Sequence, residues 1–382
     1  MCIRDRYKIV IFISSLFIIF FSFNLRSEVT VMSWGGKYQS VQKSALGDSY
    51  TQQGGTQINW ISWSDNPRLK IQDIIKKDTK NLSVDILDLL IGSRFSLNEI
   101  ETNCENGALY KFDLKKDLKS KSNSVPLNKD YLTPILSDCL VGNILFSWNF
   151  AFNSPSFINS KPSSAKDFFD VEKFPGKRGL YYLPKTNIEF ALMADGINEK
   201  GVYQVLQNQT GAINRAFKKI TDLCNHPKGG CVFWKSGNEP LEFLQSGKVV
   251  MSTGWSNRFY EYQTNISNSL QQVWNNQILD YEFYAINNNS PNIDEALEFL
   301  KFVSSREIEL NFLKQIPYSS WKKSNILYFD EYFKSLNTDQ IKVYDFFPVK
   351  KHNYKYQLFI NHKYWEQNFS NINKRWKKEI YK

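Results

Sequence analysis

Leu279-Asp280-Tyr281-Glu282-Phe283-Tyr284-Ala285-Ile286 has the composition of a β-strand but sets two carboxylates among its aromatics. With a side-chain period of two, Asp280, Glu282 and Tyr284 share one face, and Leu279, Tyr281, Phe283 and Ala285 share the other. The second face is core. The first sets negative charge between rings, and a desolvated carboxylate is costly unless a cation or several donors reach it. A bound organic cation would meet that need. So would a salt bridge to a lysine, or simple exposure to water, and this stretch alone does not choose among the three.

The rest of the chain narrows the choice. Its 382 residues are too many for one compact core and suit two domains of about 150 residues each. A hydrophobic content of 42% and an aromatic content of 15% exclude a disordered chain. The net charge of +10 raises the question of nucleic acid. The lysines are scattered singly through an Asn-, Lys- and Ile-rich sequence, so the charge follows composition and no nucleic-acid partner is expected. At the N-terminus, Arg4, Arg6 and Lys8 precede an apolar run from Ile9 to Phe23, and Leu25 and Ser27 form a cleavage pattern before Glu28. This predicts a signal peptide over residues 1–27 and a periplasmic location, with an uncleaved anchor as the alternative.

Beyond that segment stand four cysteines, an even count that in an exported protein reads as two disulfides. Cys224 and Cys231 bracket a Pro- and Gly-containing turn that favours local pairing, which leaves Cys104 for Cys139. A metal knuckle using His226 is the rival, but the other histidines of this stretch of chain, His352 and His362, lie far along the sequence. No metal or cofactor is expected.

In chain order, Val29 to Trp34 reads as a strand, Gly35-Gly36 as a tight turn and Lys37 to Tyr50 as a helix, the opening of an α/β domain. Gln57 to Trp60 is a second strand, followed by a loop over Ser62 to Pro67 that includes Asp65 and by a helix over Arg68 to Lys77. Val84 to Ile91 is a nearly continuous apolar strand interrupted by Asp85 and Asp88, of the kind buried on both faces of a parallel sheet. Its end, at Gly92 and Ser93, is where a ligand crevice is expected. Val141 to Phe152 is too long for an ordinary strand within one lobe and reads as a crossover between lobes. Asn187 to Ala194 is a helix capped by Thr186 or Asn187, with Glu189 in its first turn, where the helix dipole or a ligand would each favour an acid. Lys248 to Trp255 is a strand with Trp255 at its end, and residues 322–382 form a basic, aromatic, helical tail.

Catalytic signatures are absent: there is no nucleophile elbow, no zinc-protease helix, no phosphate loop and no dinucleotide fingerprint. Asp280 and Glu282 could serve as a glycosidase pair in principle. Residues two apart on one strand face lie roughly 6 to 7 Å apart at the backbone, however, whereas glycosidase carboxylates flank the sugar bond from opposite sides.

Six short stretches then occur in a familiar order: Val31-Met-Ser-Trp-Gly-Gly, Phe174-Pro-Gly-Lys-Arg-Gly, Glu189-Phe-Ala-Leu-Met-Ala-Asp-Gly, Val249-Val-Met-Ser-Thr-Gly-Trp-Ser-Asn, Tyr281-Glu-Phe-Tyr-Ala-Ile and Ile316-Pro-Tyr. On them the chain resembles the extracytoplasmic solute-binding proteins of ABC importers, specifically the spermidine/putrescine family of the type II Venus-flytrap class. The resemblance implies a two-lobed α/β fold with two crossover strands and a helical C-terminal tail. Lobe 1 would comprise residues 28–149 plus 280–320, and lobe 2 residues 150–279 plus 321–382. It implies a monomer that is no enzyme, that takes a polyamine or similar small cation in its cleft, and that delivers it to a membrane permease. Trp34, Trp255 and Tyr318 would be aromatic walls, and Glu189 and Glu282 would hold ammonium groups. Asp280 stands where such binders carry a Trp, and Thr186 where they often carry a second acid. Tyr38, Asp65, Asp88 and Ser93 are further cleft candidates. The alternatives are the same fold with another small solute or an anion, and a secreted glycan-active enzyme.

Overall fold

The structure, a computed structural model, describes residues 28–65, 70–75, 84–92, 95–118, 125–266, 269–336 and 341–381. The signal-peptide segment 1–27 and Ser93 lie outside the described residues, as do 68–69 and 76–77 of the helix expected over 68–77, whose described part is helical over Ile71–Ile75.

Two long strands organise the chain. β4, Val141–Asn153, and β8, Leu270–Ile286, run antiparallel to each other, from Val141 opposite Tyr284 to Asn153 opposite Leu270. On one side, β1 (Val29–Ser33) lies parallel to β2 (Ile58–Ser62) and to β3 (Ile86–Leu89), and β3 pairs antiparallel with the C-terminal part of β8. On the other, β5 (Arg178–Tyr181) lies parallel to β6 (Cys231–Trp234) and β7 (Met251–Trp255), and β7 pairs antiparallel with the C-terminal part of β4. The sheet order is therefore β2-β1-β3-β8-β4-β7-β5-β6. Two three-stranded parallel groups are joined edge to edge by the two crossing strands, as the length of Val141 to Phe152 predicts.

The strand read as Leu279 to Ile286 begins nine residues earlier, at Leu270. Its first half is rich in Gln and Asn and so hides from a hydrophobicity pattern. The register shifts between Trp148 and Phe150, opposite the left-handed residue Asn276. Asn tolerates that backbone, and its side-chain oxygen accepts from Ala165 N at 2.9 Å. Further along β4, Gly142 leaves room for the ring of Trp321, which a Cβ would approach to 2.3 Å. Trp321 in turn stacks on Tyr281 of β8 at 4.4 Å between centroids, a contact worth about 0.5–1.5 kcal/mol beyond the area it buries.

The helix expected over Lys37 to Tyr50 runs as Gly36–Gln42, a π-helical stretch Lys43–Asp48, and Ser49–Gln52. Gly47, in the π stretch, lies against the Trp60 indole, where a Cβ would come within 2.9 Å of Nε1. The tail is not wholly helical. Between the helices Lys323–Lys334 and His362–Glu379 it contributes a short strand, β9 (Gln357–Phe359), parallel to β8 at Gln277 to Leu279. The helix His362–Glu379 lies across both halves: Glu366 accepts from Leu97 N at 2.9 Å, and Trp376 Nε1 donates to Tyr182 O at 2.8 Å. Cys104 is bonded to Cys139 and Cys224 to Cys231, the pairing read from the sequence, so the metal-knuckle rival falls.

Candidate functional site

Between the two parallel groups lies a cavity of about 240 Å³ lined by Trp34, Gly35, Tyr38, Ser64, Leu90, Phe146, Trp255, Asn257, Arg258, Glu282 and Tyr318. It sits at the carboxyl ends of β1 and β7, where the backbone leaves each strand for a helix and side chains are free to converge. Its volume falls just below the usual span for drug-sized ligands, about 300–1,000 Å³, and suits a small solute. Five residues singled out in the sequence meet in it: Trp34, Tyr38, Trp255, Glu282 and Tyr318. Tyr38 and Tyr318 meet edge to face at 5.5 Å.

Glu282 reaches the cavity from β8, and Asp88 lies beneath it, fully buried on β3. Asp88 accepts from the Tyr38 hydroxyl at 3.1 Å, Gln42 Nε2 at 2.9 Å, the Ser33 hydroxyl at 3.2 Å and Asn143 Nδ2 at 3.1 Å. Burial pushes the Asp88 carboxyl up to about 6 despite these donors. Burial raises Glu282 well above the usual carboxylate range, and the charge on Asp88 raises it further. With more donors on Asp88, the shared proton rests on Glu282 in the free protein. Glu282 Oε2, Trp34 Nε1 and Trp255 Nε1 are buried at this place with no hydrogen-bond partner in the protein, and polar atoms so placed ordinarily have one.

The cavity lining also carries a cation. Arg258 belongs to the helix Ser256–Asn265, which starts where β7 ends. Ser256 and Asn257 in its first turn are buried, and the Ser256 hydroxyl has no partner. A helix N-terminus beside a guanidinium favours an anionic group there. Glu261, one turn on, lies 3.5 Å from Arg258 Nη1 and 3.8 Å from Lys37 Nζ, which comes from the helix after β1. Arg258, Asn257, Ser64, Phe146 and Leu90 were missed in the sequence. Only Arg258 had a signal, three residues past Trp255 at the end of a strand that lies parallel to β5.

The remaining acids are engaged elsewhere. Asp280 is fully buried and is paired with Lys185 Nζ at 3.0 Å and His362 Nε2 at 2.9 Å. Burial opposes its charge, yet Lys185 and His362 together draw it far below the ordinary carboxylate range. The bound cation that this strand face called for is, at Asp280, a lysine of the chain itself. Lys185 precedes Thr186, whose φ of 73° is strained for a β-branched residue at a cost of about 1–3 kcal/mol. Thr186 stands at the N-cap of the helix Asn187–Ala194, but its side chain makes no capping bond. Glu189 is buried in that helix and accepts from Trp365 Nε1 at 2.6 Å and the Tyr203 hydroxyl at 2.7 Å, so it ties the C-terminal helix down rather than lining the cavity. Asp65 is exposed, one residue beyond the lining Ser64. Among the described residues, no three His, Cys, Asp or Glu are grouped to hold a metal, and no helix is long and apolar enough to cross a membrane.

Two parallel-strand groups joined by two crossing strands, with a polar and aromatic cavity between them, define a two-lobed solute-binding protein. The sequence profile of the bacterial extracellular solute-binding proteins matches residues 45–326, and the chain belongs to that family. It is similar to the γ-aminobutyric acid-binding protein of Pseudomonas aeruginosa, with 28% identity over 299 residues, 78% of each chain. Its fold is that of an ABC transporter substrate-binding protein from Bradyrhizobium japonicum USDA 110, with a TM-score of 0.73, 23% identity, and coverage of 93% of this chain and 99% of that one. It also matches the PBP MotA from A. tumefaciens B6, solved in complex with glucopine, with a TM-score of 0.70, 22% identity, and coverage of 92% and 99%. The chain is thus an extracellular solute-binding protein by family, and its fold is shared with an ABC transporter substrate-binding protein.

Proposed function

We propose that the cavity captures a small solute carrying an ammonium group at one end and a carboxylate at the other, an ω-amino acid such as γ-aminobutyrate. The observation that carries this reading is that Glu282, with an unpartnered carboxylate oxygen, and Arg258 line one small cavity between Trp34 and Trp255. The ammonium would meet Glu282, with Asp88 behind it and the rings of Trp34, Tyr38 and Tyr318 around it. The carboxylate would meet Arg258 and the first turn of the helix Ser256–Asn265. The name of the Pseudomonas aeruginosa relative supports the same ligand class.

A polyamine, the ligand implied by the resemblance, is the second reading. The aromatic walls and Glu282 favour it, and Glu261 beyond Arg258 offers another acid. Arg258 opposes it, because a second ammonium would face a guanidinium. Competitive titration with γ-aminobutyrate, putrescine and spermidine decides: preference for the amino acid supports the first reading, and preference for a diamine the second.

The lobes are proposed to divide within β4 and β8, near residues 149 and 280, and to close as a monomer over the ligand, with the helix Lys323–Lys334 resting on the first lobe through Ser324 N and Asp130 Oδ1 at 2.9 Å. Residues 1–27 are proposed as a signal peptide directing the chain to the periplasm.

A further inference from the structure

The Lys185–Asp280–His362 cluster is buried, charged and outside the cavity, yet it abuts the cavity at two points. Phe146, which lines the cavity, stands directly opposite Asp280 across the β4–β8 pair, so the two side chains share one face of the sheet. Leu90, also lining, precedes Ile91, whose carbonyl oxygen lies 3.4 Å from Lys185 Nζ. Asp280 and Glu282 share a strand face roughly 6 to 7 Å apart at the backbone, close to the span between the two nitrogens of a four-carbon diamine. The strand therefore sets two acidic residues on one face at a backbone spacing near a diamine's length. One is open to the cavity, and the other is covered by an ammonium that belongs to the protein.

We infer that Lys185 is a specificity-determining residue, a built-in ammonium that occupies the second cation position of the cleft and restricts the ligand to one ammonium group. A diamine that placed one nitrogen at Glu282 would direct the other at an acid already neutralised at 3.0 Å and at the like charge of Lys185. A ligand with a single ammonium meets neither obstacle. The left-handed backbone at Thr186 and the second contact of Asp280, to His362, hold Lys185 in this position. This inference rests on the amine-binding role proposed for Glu282.

The test is the affinity ratio of putrescine to γ-aminobutyrate, measured by titration calorimetry on the wild-type chain and on Lys185→Ala. The wild type is expected to favour γ-aminobutyrate by at least tenfold. Lys185→Ala, which exposes Asp280, should raise the ratio at least tenfold, and adding Asp280→Ala should return it to the wild-type value. Lys185→Gln keeps a donor on Asp280 while removing the charge, and it gives the same readout should the alanine variant not fold. An unchanged ratio in a variant that still binds γ-aminobutyrate overturns the inference and leaves the proposed ligand class standing. A wild type that binds putrescine as well as γ-aminobutyrate overturns it too. If the wild type binds neither compound, the amine-binding reading fails and this inference falls with it.

Discussion

Lys37 Nζ lies 3.8 Å from Glu261 Oε1, joining the helix that follows β1 to the helix that follows β7 beside the cavity. The lysine is 44% exposed, so the pair is screened and contributes no more than about 1 kcal/mol. Lys37→Ala should accordingly weaken ligand binding by up to about fivefold in low salt. The deficit should vanish above about 0.5 M salt, where exposed pairs are screened. A salt-independent loss, read by calorimetry at two ionic strengths, would mean that Lys37 acts by some route other than this bridge.

Glu282 should matter for binding rather than for folding. Glu282→Gln leaves an ammonium unpaired in a closed cleft and should cost about 2 to 5 kcal/mol of affinity. Because burial already holds the Glu282 carboxyl well above its ordinary range, the neutral amide should leave the unliganded protein as stable or more so. Urea denaturation with and without ligand separates the two effects. Unchanged affinity for the cognate solute would remove Glu282 from the site.

Binding should also expel a proton. Only an ionised carboxylate pairs with an ammonium, and the free site keeps Glu282 protonated beside Asp88. Affinity should therefore climb with pH above the ordinary carboxylate range and level off once Glu282 ionises without help. Without ligand the sign reverses: raised carboxyls make the folded form bind more protons than the unfolded chain, so this pair's contribution to stability declines as pH rises above the unfolded Asp value of about 3.9. Calorimetry in buffers of different ionisation enthalpy reads the proton directly, and a buffer-independent enthalpy near pH 6 would refute the exchange.

Asp280 behaves in the opposite sense. Its folded-state carboxyl is depressed by Lys185 and His362, so its contribution is complete above the unfolded value and is lost as pH falls below it. Asp280→Asn should strand Lys185 without a counter-charge and destabilise the fold by about 3–5 kcal/mol. A denaturation midpoint unchanged at pH 7 would show that the pair contributes nothing.

The two disulfides differ in the loop they close. The Cys104–Cys139 bridge spans 35 residues and Cys224–Cys231 spans 7. Loop entropy assigns them about 4 and about 2 kcal/mol respectively. Replacing each pair by Ser should lower the urea midpoint in that order and leave the ranking of ligands untouched. A changed ranking would tie a bridge to the site.

The sequence made the architecture legible because long-range pattern survives in it. The length of β4, the apolar β3 and the turns after β1 each follow from local propensity. Trp34 and Trp255 were singled out by the resemblance to a family and not by their strand-end positions, and both line the cavity. What local pattern cannot carry is the partner of a buried charge. Asp280 finds Lys185, 95 residues earlier, and His362, 82 residues later, and nothing near any of the three announces the meeting. Glu189 had two local explanations, a helix-dipole role and a ligand, and in the structure it is held by Trp365 from a helix 176 residues away. Arg258 passed unnoticed because its one signal, a place three residues past Trp255 at a strand end, does not set one arginine apart in a basic chain until a cavity forms beside it.

The central claim is that one small cavity between the lobes holds an amine-bearing solute between Glu282 and Arg258. Calorimetric titration of the oxidised chain from Glu28 onward with γ-aminobutyrate, putrescine, spermidine and a sugar tests it most directly. The account predicts saturable one-to-one binding of γ-aminobutyrate that is lost in both Glu282→Gln and Arg258→Ala, with no response to the sugar. Binding of the sugar alone, or of an amine whose affinity neither variant changes, would contradict it.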